Sequence, residues 1–190
     1  MCERCAWVGK EPIYIKYHDE EWGVPEWDAR ALWEKLVLDG FQAGLSWITI
    51  LKKRDAFRAA FADFDPNKVA EFGEADVTRL LGDAGIVRHR GKIESAIKGA
   101  RVWQEIDADQ GFDSYLWGFV DGKPLQNNCQ TAADVPAFTD LSTQISKDLK
   151  KRGFNFCGPT ITYAFMQAMG MVNDHQVTCF RHKEVQRVVG

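Results

Sequence analysis

The sequence predicts an all-α protein, on three observations. Apolar residues recur at helical spacing over most of its length, cap and stop residues punctuate those runs, and no alternating run is long enough for a sheet. Asp28 is placed to cap a helix that buries Leu32, Trp33, Leu36 and Val37, with Gly40 just past its end. Ser46 can cap a second, carrying Ile50, Leu51, Phe57 and Phe61. Asp65-Pro66 starts a third, with Asp at the cap and Pro at the first helical position. Val77, Leu80 and Leu81 carry a helical period up to Gly82 and Gly85, and a long helix follows over about residues 90–106 with Ile93, Ile97, Ala100 and Val102. Residues 141–151 are amphipathic, end in basic side chains and stop at Gly153. Pro159 opens a last apolar helix through Tyr163, Phe165, Met166 and Met169.

With 190 residues, 45% apolar and 27% charged, the chain has the material for one domain whose core needs no disulfide or metal merely to form. No repeat, low-complexity tract or linker divides it. The 24 basic and 27 acidic residues leave a net charge of -3, which argues against coating nucleic acid by bulk positive charge but permits a basic face. The first residues are polar and read as no signal peptide, and the longest apolar run, residues 161–172, is too short to span a bilayer. A cytoplasmic location is therefore expected, where five Cys read as thiols or metal ligands rather than bridges. No apolar heptad signals a dimer, so a monomer is expected.

His175 and Cys179 stand four apart, on one face if their segment is helical, while Cys2, Cys5 and His18 lie near the other end. Two ligands from each end would complete a Cys₂His₂ zinc site and close a very long loop. Coincidence, a Cys2-x₂-Cys5 knuckle and participation of His182 compete with that set. His18-Asp19-Glu20 also matches half of a zinc-deaminase signature, but the Pro-Cys-x-x-Cys half is missing.

The stretch from Leu80 to Ile97 reads as helix, a turn at Gly85-Ile86-Val87, and helix again, followed by Arg88, Arg90 and Lys92. A glycine turn beside a helix N-terminus suits a phosphate, and the cations would add charge-assisted contacts. An ordinary corner with a solvated charge run is the plainer reading. A phosphate-binding loop over Gly85 to Lys92 fails, because five residues separate the glycines and Ile93 stands where Ser or Thr is required. Trp7, Tyr14, Tyr17 and Trp22 crowd a segment with little helical period, as core residues or as walls for a flat ligand. Asp39, Gln42 and Trp47 flank a two-glycine connection, and a carboxylate beside aromatic faces suits a flat cation.

Five motifs then stand in order: Glu3-Arg4-Cys5-x-Trp7; Tyr14-Ile15-x-Tyr17-His18-Asp19-x-Glu21-Trp22-Gly23; Gln42-Ala43-Gly44-Leu45-Ser46-Trp47-Ile48-Thr49; Ile86-x-Arg88-His89-Arg90-x-Lys92; and Asn173-Asp174-His175. Over essentially its whole length the chain resembles the DNA-3-methyladenine glycosylase I family, the TAG-type branch of the helix-hairpin-helix DNA glycosylases. The resemblance implies a helix-hairpin-helix core, residues 28–135, joined to a zinc-tied subdomain of residues 1–27 and 136–190. It implies structural Zn²⁺ on Cys5, His18, His175 and Cys179, with Cys2 and His182 as bystanders. It places Trp7, Tyr14, Tyr17 and Trp47 around the base and the base-recognising carboxylate at Asp39. The family usually has Glu there, so this chain's carboxylate is about 1.5 Å shorter in reach. Leu45 is either a wedge for the opened duplex or core packing. Gly85, Arg88, Arg90 and Lys92 are expected to meet DNA, leaving Trp22, Trp27, Trp33, Trp103 and Trp117 to the core. The implied activity is excision of 3-methyladenine from alkylated double-stranded DNA by a cytoplasmic, nucleoid-associated enzyme of base excision repair. A non-catalytic damaged-DNA-binding protein on the same fold is the alternative.

Overall fold

Two of the expected caps act through their side chains: Asp28 accepts from the Ala31 N–H, and Asp65 accepts from the Asn67 N–H. The computed structural model describes residues 3–187, and these are mostly helical. Helix α1 spans Pro12–Glu20, α2 Ala29–Gln42, α3 Trp47–Leu51, α4 Arg54–Ala60, α5 Pro66–Ala70 and α6 Glu74–Gly82. Then come α7 Arg90–Gln110, α8 Phe112–Trp117, α9 Asp140–Arg152, α10 Pro159–Ala168 and α11 Phe180–Arg187. Two-residue strands β1 (Leu125–Gln126) and β2 (Val172–Asn173) pair in parallel, Leu125 against Val172. None of the described helices is long and apolar enough to cross a membrane.

Four local expectations change. Gly40 lies inside α2, which runs on to Gln42; an added Cβ would meet Phe156 Cβ at 3.5 Å, so the glycine marks a close approach, not a stop. The helix expected after Ser46 is broken into α3 and α4, and the Ser46 hydroxyl meets the Thr49 hydroxyl at 2.8 Å rather than a backbone N–H. The aromatic stretch near the start is helical as α1, begun by Pro12. Its buried face consists of Tyr17 and His18, too polar to register as an apolar period. The segment from His175 to Cys179 is not helical; it turns, with Cys179 N–H on Gln176 O at 2.8 Å.

Helix α2 packs against both α7 and α10, α5 lies on α7, and α9 lies on α10. Leu32, Trp33, Leu38 and Phe41 on α2 are fully buried at this junction. Each such side chain contributes about 1.5–3 kcal/mol. One continuous core results, and it fixes the rotation of α2 so that Lys35 and Asp39, one turn apart, share a face. Trp27 departs from expectation: it is 46% exposed and stacks on Trp117 at 3.8 Å.

After α10 the chain turns at Gly170, with φ +67°. A Cβ there would lie 2.4 Å from the Pro25 nitrogen and 2.5 Å from the Val24 carbonyl carbon. Gly170→Ala is expected to cost at least about 2 kcal/mol, lowering Tm by roughly 4–8 °C. An unchanged thermal melt would mean this backbone approach is not tight.

Candidate base pocket and metal cluster

Spacing on α1 puts Tyr14, Tyr17 and His18 on one face. That face meets α2 and the loop between α2 and α3 across a cavity of about 320 Å³, lined in part by Trp7, Tyr14, Tyr17, Trp22, Asp39 and Trp47. The rings are mutually braced. Trp7 meets Tyr14 and Trp22 edge-on, each at 5.0 Å between centroids, and Tyr17 lies 5.4 Å from Trp47. The structure thus brings together the five residues expected around a flat ligand. It adds Trp22, assigned above to the core; its place in the Glu21-Trp22-Gly23 run beside His18 was the available signal. Lys35, Gln42 and Gln167 also line the cavity, and of these only Gln42 was singled out from sequence.

Asp39 is fully buried and its Oδ1 accepts from Lys35 Nζ in a short ion pair. Burial pushes the Asp39 carboxyl up, and Lys35 opposes that; burial pushes the Lys35 ammonium down, and Asp39 opposes that. Lys35 Nζ also sits 3.9 Å from the centre of a Trp47 ring. Asp39 Oδ2 and Trp47 Nε1 are buried with no hydrogen-bond partner among the described residues. Such orphans are costly in a core and informative in a cavity, because a ligand can satisfy them. Burial also raises the Tyr17 phenol well above its ordinary value, keeping its O–H as a donor.

Behind Trp7 and Trp22 lies the cysteine and histidine set. Cys5, His18, His175 and Cys179 are buried, and their ligand atoms all lie within 4.8 Å of one another. Cys5 Sγ is 3.5 Å from His175 Nδ1; Cys179 Sγ is 3.5 Å from His18 Nε2 and 3.7 Å from His175 Nδ1. A tetrahedron with bonds of about 2.0–2.3 Å has edges of roughly 3.3–3.8 Å, so the donor spacing fits such a centre. The outward nitrogens are committed elsewhere. His18 Nδ1 meets Asp19 at 2.8 Å, and Arg4 braces that carboxylate; His175 Nε2 donates to the Trp22 carbonyl at 3.0 Å. These contacts leave His18 Nε2 and His175 Nδ1 as lone pairs facing the cysteines. Burial lowers the His175 pKa, favouring the neutral ring. Cys179 is held toward thiolate, first by its hydrogen bond with Cys5 and then by the two histidines, while the same bond raises Cys5. Gly23, at φ +79°, leaves room for the His175 ring, which an added Cβ would meet at 2.8 Å. Cys2 lies outside the described residues, and His182 Nε2 meets the Asn127 carbonyl instead.

The turn between α6 and α7 presents Arg88 and Arg90 to solvent. Arg90 is paired with Glu74 and Glu94. Gly85 gives its N–H to Asp83 Oδ1 at 2.7 Å. Lys92 points inward: its Nζ donates to the carbonyls of Phe41 and Ala43 at 2.9 and 2.6 Å, tying α7 to the loop after α2. That loop turns at Gly44, φ +82°, and leaves Leu45 44% exposed rather than in the core.

Fold and cavity together define a helical protein with an aromatic-walled cavity that encloses the buried Lys35–Asp39 ion pair. The methyladenine glycosylase family model matches residues 7–182. The chain is 53% identical over 178 residues to DNA-3-methyladenine glycosylase 1 of Escherichia coli (strain K12), across 93% of this chain and 95% of that protein. A crystal structure of 3-methyladenine DNA glycosylase I superposes with a TM-score of 0.92 at 51% identity, covering 94% of this chain and 98% of the other. A single-substitution variant of such an enzyme in complex with 3-methyladenine gives 0.91 at 40% identity, covering 93% and 96%. The chain belongs to the methyladenine glycosylase family.

Proposed function

We propose that this protein is a monofunctional DNA-3-methyladenine glycosylase, drawing the alkylated base from double-stranded DNA and hydrolysing its N-glycosidic bond. The observation that carries the reading is the buried Asp39 with one unpartnered oxygen at an aromatic cavity sized for a small ligand. Alkylation makes the base cationic before catalysis begins, so the base leaves with the bonding electron pair and becomes neutral. Water adds to the sugar carbon and loses its proton to solvent. Little general-acid help is needed, and selection can rest on binding: ring faces favour the cation, and Asp39 Oδ2 accepts from the amino group. Unstacking the base costs a few kcal/mol, which these contacts offset.

The residues fit zinc, and Cys5, His18, His175 and Cys179 would hold it in a structural role, with four protein ligands and no open position. In this reading residues 28–135 form the helix-hairpin-helix core and residues 1–27 with 136–190 the metal-tied subdomain. Exposed Leu45 is the wedge, and Lys92 supports it from beneath through the Ala43 carbonyl. Gly85 shapes the hairpin that meets the phosphates, with Arg88 and Arg90 beside it. The enzyme works as a cytoplasmic monomer, at the nucleoid when on DNA.

Arg88→Gln is expected to weaken binding to damaged and undamaged duplexes alike and to reduce the slope of log K against log salt by about 0.9. A salt titration with an unchanged slope would remove Arg88 from the interface. The activity itself is tested by incubating the protein with methylated duplex DNA and identifying released bases by chromatography. 3-Methyladenine above the spontaneous rate is expected, and its absence overturns the enzyme reading in favour of a damage-binding protein.

A further inference from the structure

The cavity is lined by an ion pair, not a lone carboxylate. Lys35 and Asp39 sit one turn apart on α2, both line the cavity, and both side chains are almost wholly buried, 9% and 1% exposed. A buried ammonium beside a cation-selecting carboxylate is a contradiction if positive charge is all the pocket reads. It would occupy one oxygen of the carboxylate and one face of Trp47 ahead of any ligand. We infer that Lys35 is a base-specificity residue: with Asp39 it presents a donor and an acceptor side by side, reading a heterocycle edge that carries an amino group next to a ring nitrogen.

An ammonium has three N–H donors. One is spent on Asp39 Oδ1 and the cation leans on Trp47, which leaves donor capacity for a ring lone pair. Asp39 Oδ2, buried and unpartnered, accepts the amino hydrogen. The two contacts together fit the amidine edge of a 6-aminopurine. The ion pair also balances its own charge, so the pocket retains a neutral base as well as a cationic one. Burial works against both charges, and in each case the partner chiefly opposes it, which makes the pair one functional unit. This inference rests on the base-pocket reading above and adds to it a residue and a hydrogen-bond code.

The test is binding of free bases, followed by Trp fluorescence, with 3-methyladenine and its 1-deaza analogue, in which C–H replaces the ring nitrogen beside the amino group. The unmodified protein is expected to bind the deaza analogue at least tenfold more weakly, as loss of a charge-assisted hydrogen bond implies. Lys35→Met is expected to bind both within about twofold of each other. The double variant Lys35→Met/Asp39→Leu, which leaves no unpaired buried charge and puts no amide donor at position 39, should behave alike if the single variant folds poorly. Equal affinity of the unmodified protein for both bases overturns the role of Lys35, as does full discrimination surviving in the folded variants. Binding of neither base overturns the pocket reading itself.

Discussion

Asp39→Asn is expected to lower kcat/KM for 3-methyladenine excision by roughly 10²–10³-fold, the scale of about 3–4 kcal/mol for one buried electrostatic contact to the reacting group. The substitution keeps size and position but replaces an acceptor-only group with one that also donates. The pH profile separates charge from shape. Burial raises the Asp39 pKa, so its ionised form, and with it activity, should be present at neutral pH and be lost as pH falls toward a value above the ordinary carboxylate range. Tyr17, whose pKa burial raises, contributes nothing on the acid side. The Asn variant should lack the acid limb that belongs to Asp39. Activity within a few-fold of the unmodified enzyme across pH would show that the carboxylate does not touch the leaving base.

Cys179→Ala is expected to remove bound zinc and lower Tm by about 6–20 °C, corresponding to roughly 3–5 kcal/mol. The loss is large because the site joins residues 5 and 18 to residues 175 and 179, closing nearly the whole chain. Metal analysis by mass spectrometry together with thermal unfolding gives the answer. Unchanged zinc content overturns the ligand assignment. Cys157→Ala, a buried thiol outside the cluster, serves as the comparison and should keep its metal.

The helices most visible in the sequence were those with an apolar stripe or a clear start or stop residue: α2, α5, α7, α9 and α10. Gly153, at φ +117°, ends α9 where a stop was expected. Helix α1 was invisible because its inward face serves a cavity and a cysteine cluster, and so is built from Tyr and His. Site chemistry thus erased the periodicity that would have disclosed its scaffold. The cluster itself was legible as a set of ligand types, but it is assembled by a turn between His175 and Cys179, where the four-residue spacing would have served a helix equally well. The least legible residue was Lys35. In the sequence it is an unremarked Lys on a helix, and only the rotation of α2 imposed by Leu32, Trp33 and Leu38 aims it inward with Asp39. Lys92 shows the converse. It was expected to meet DNA, yet its ammonium is buried and spent on two carbonyls.

The cysteine cluster also governs when the pocket comes into being. Trp7, Tyr14, Tyr17 and Trp22 are carried between and beside Cys5 and His18; Tyr17 meets Trp47 on α3, whereas the Trp22 carbonyl is held by His175, more than 150 residues later. The Ala6 N–H is held by Gln176, and the Phe180 N–H by the Glu3 carbonyl. During synthesis the Cys5 and Trp22 end of this aromatic wall therefore lacks its Gln176 and His175 partners until the last stretch of chain emerges. The cysteine cluster thus ties the Trp22 side of the cavity to a segment more than 150 residues away in sequence.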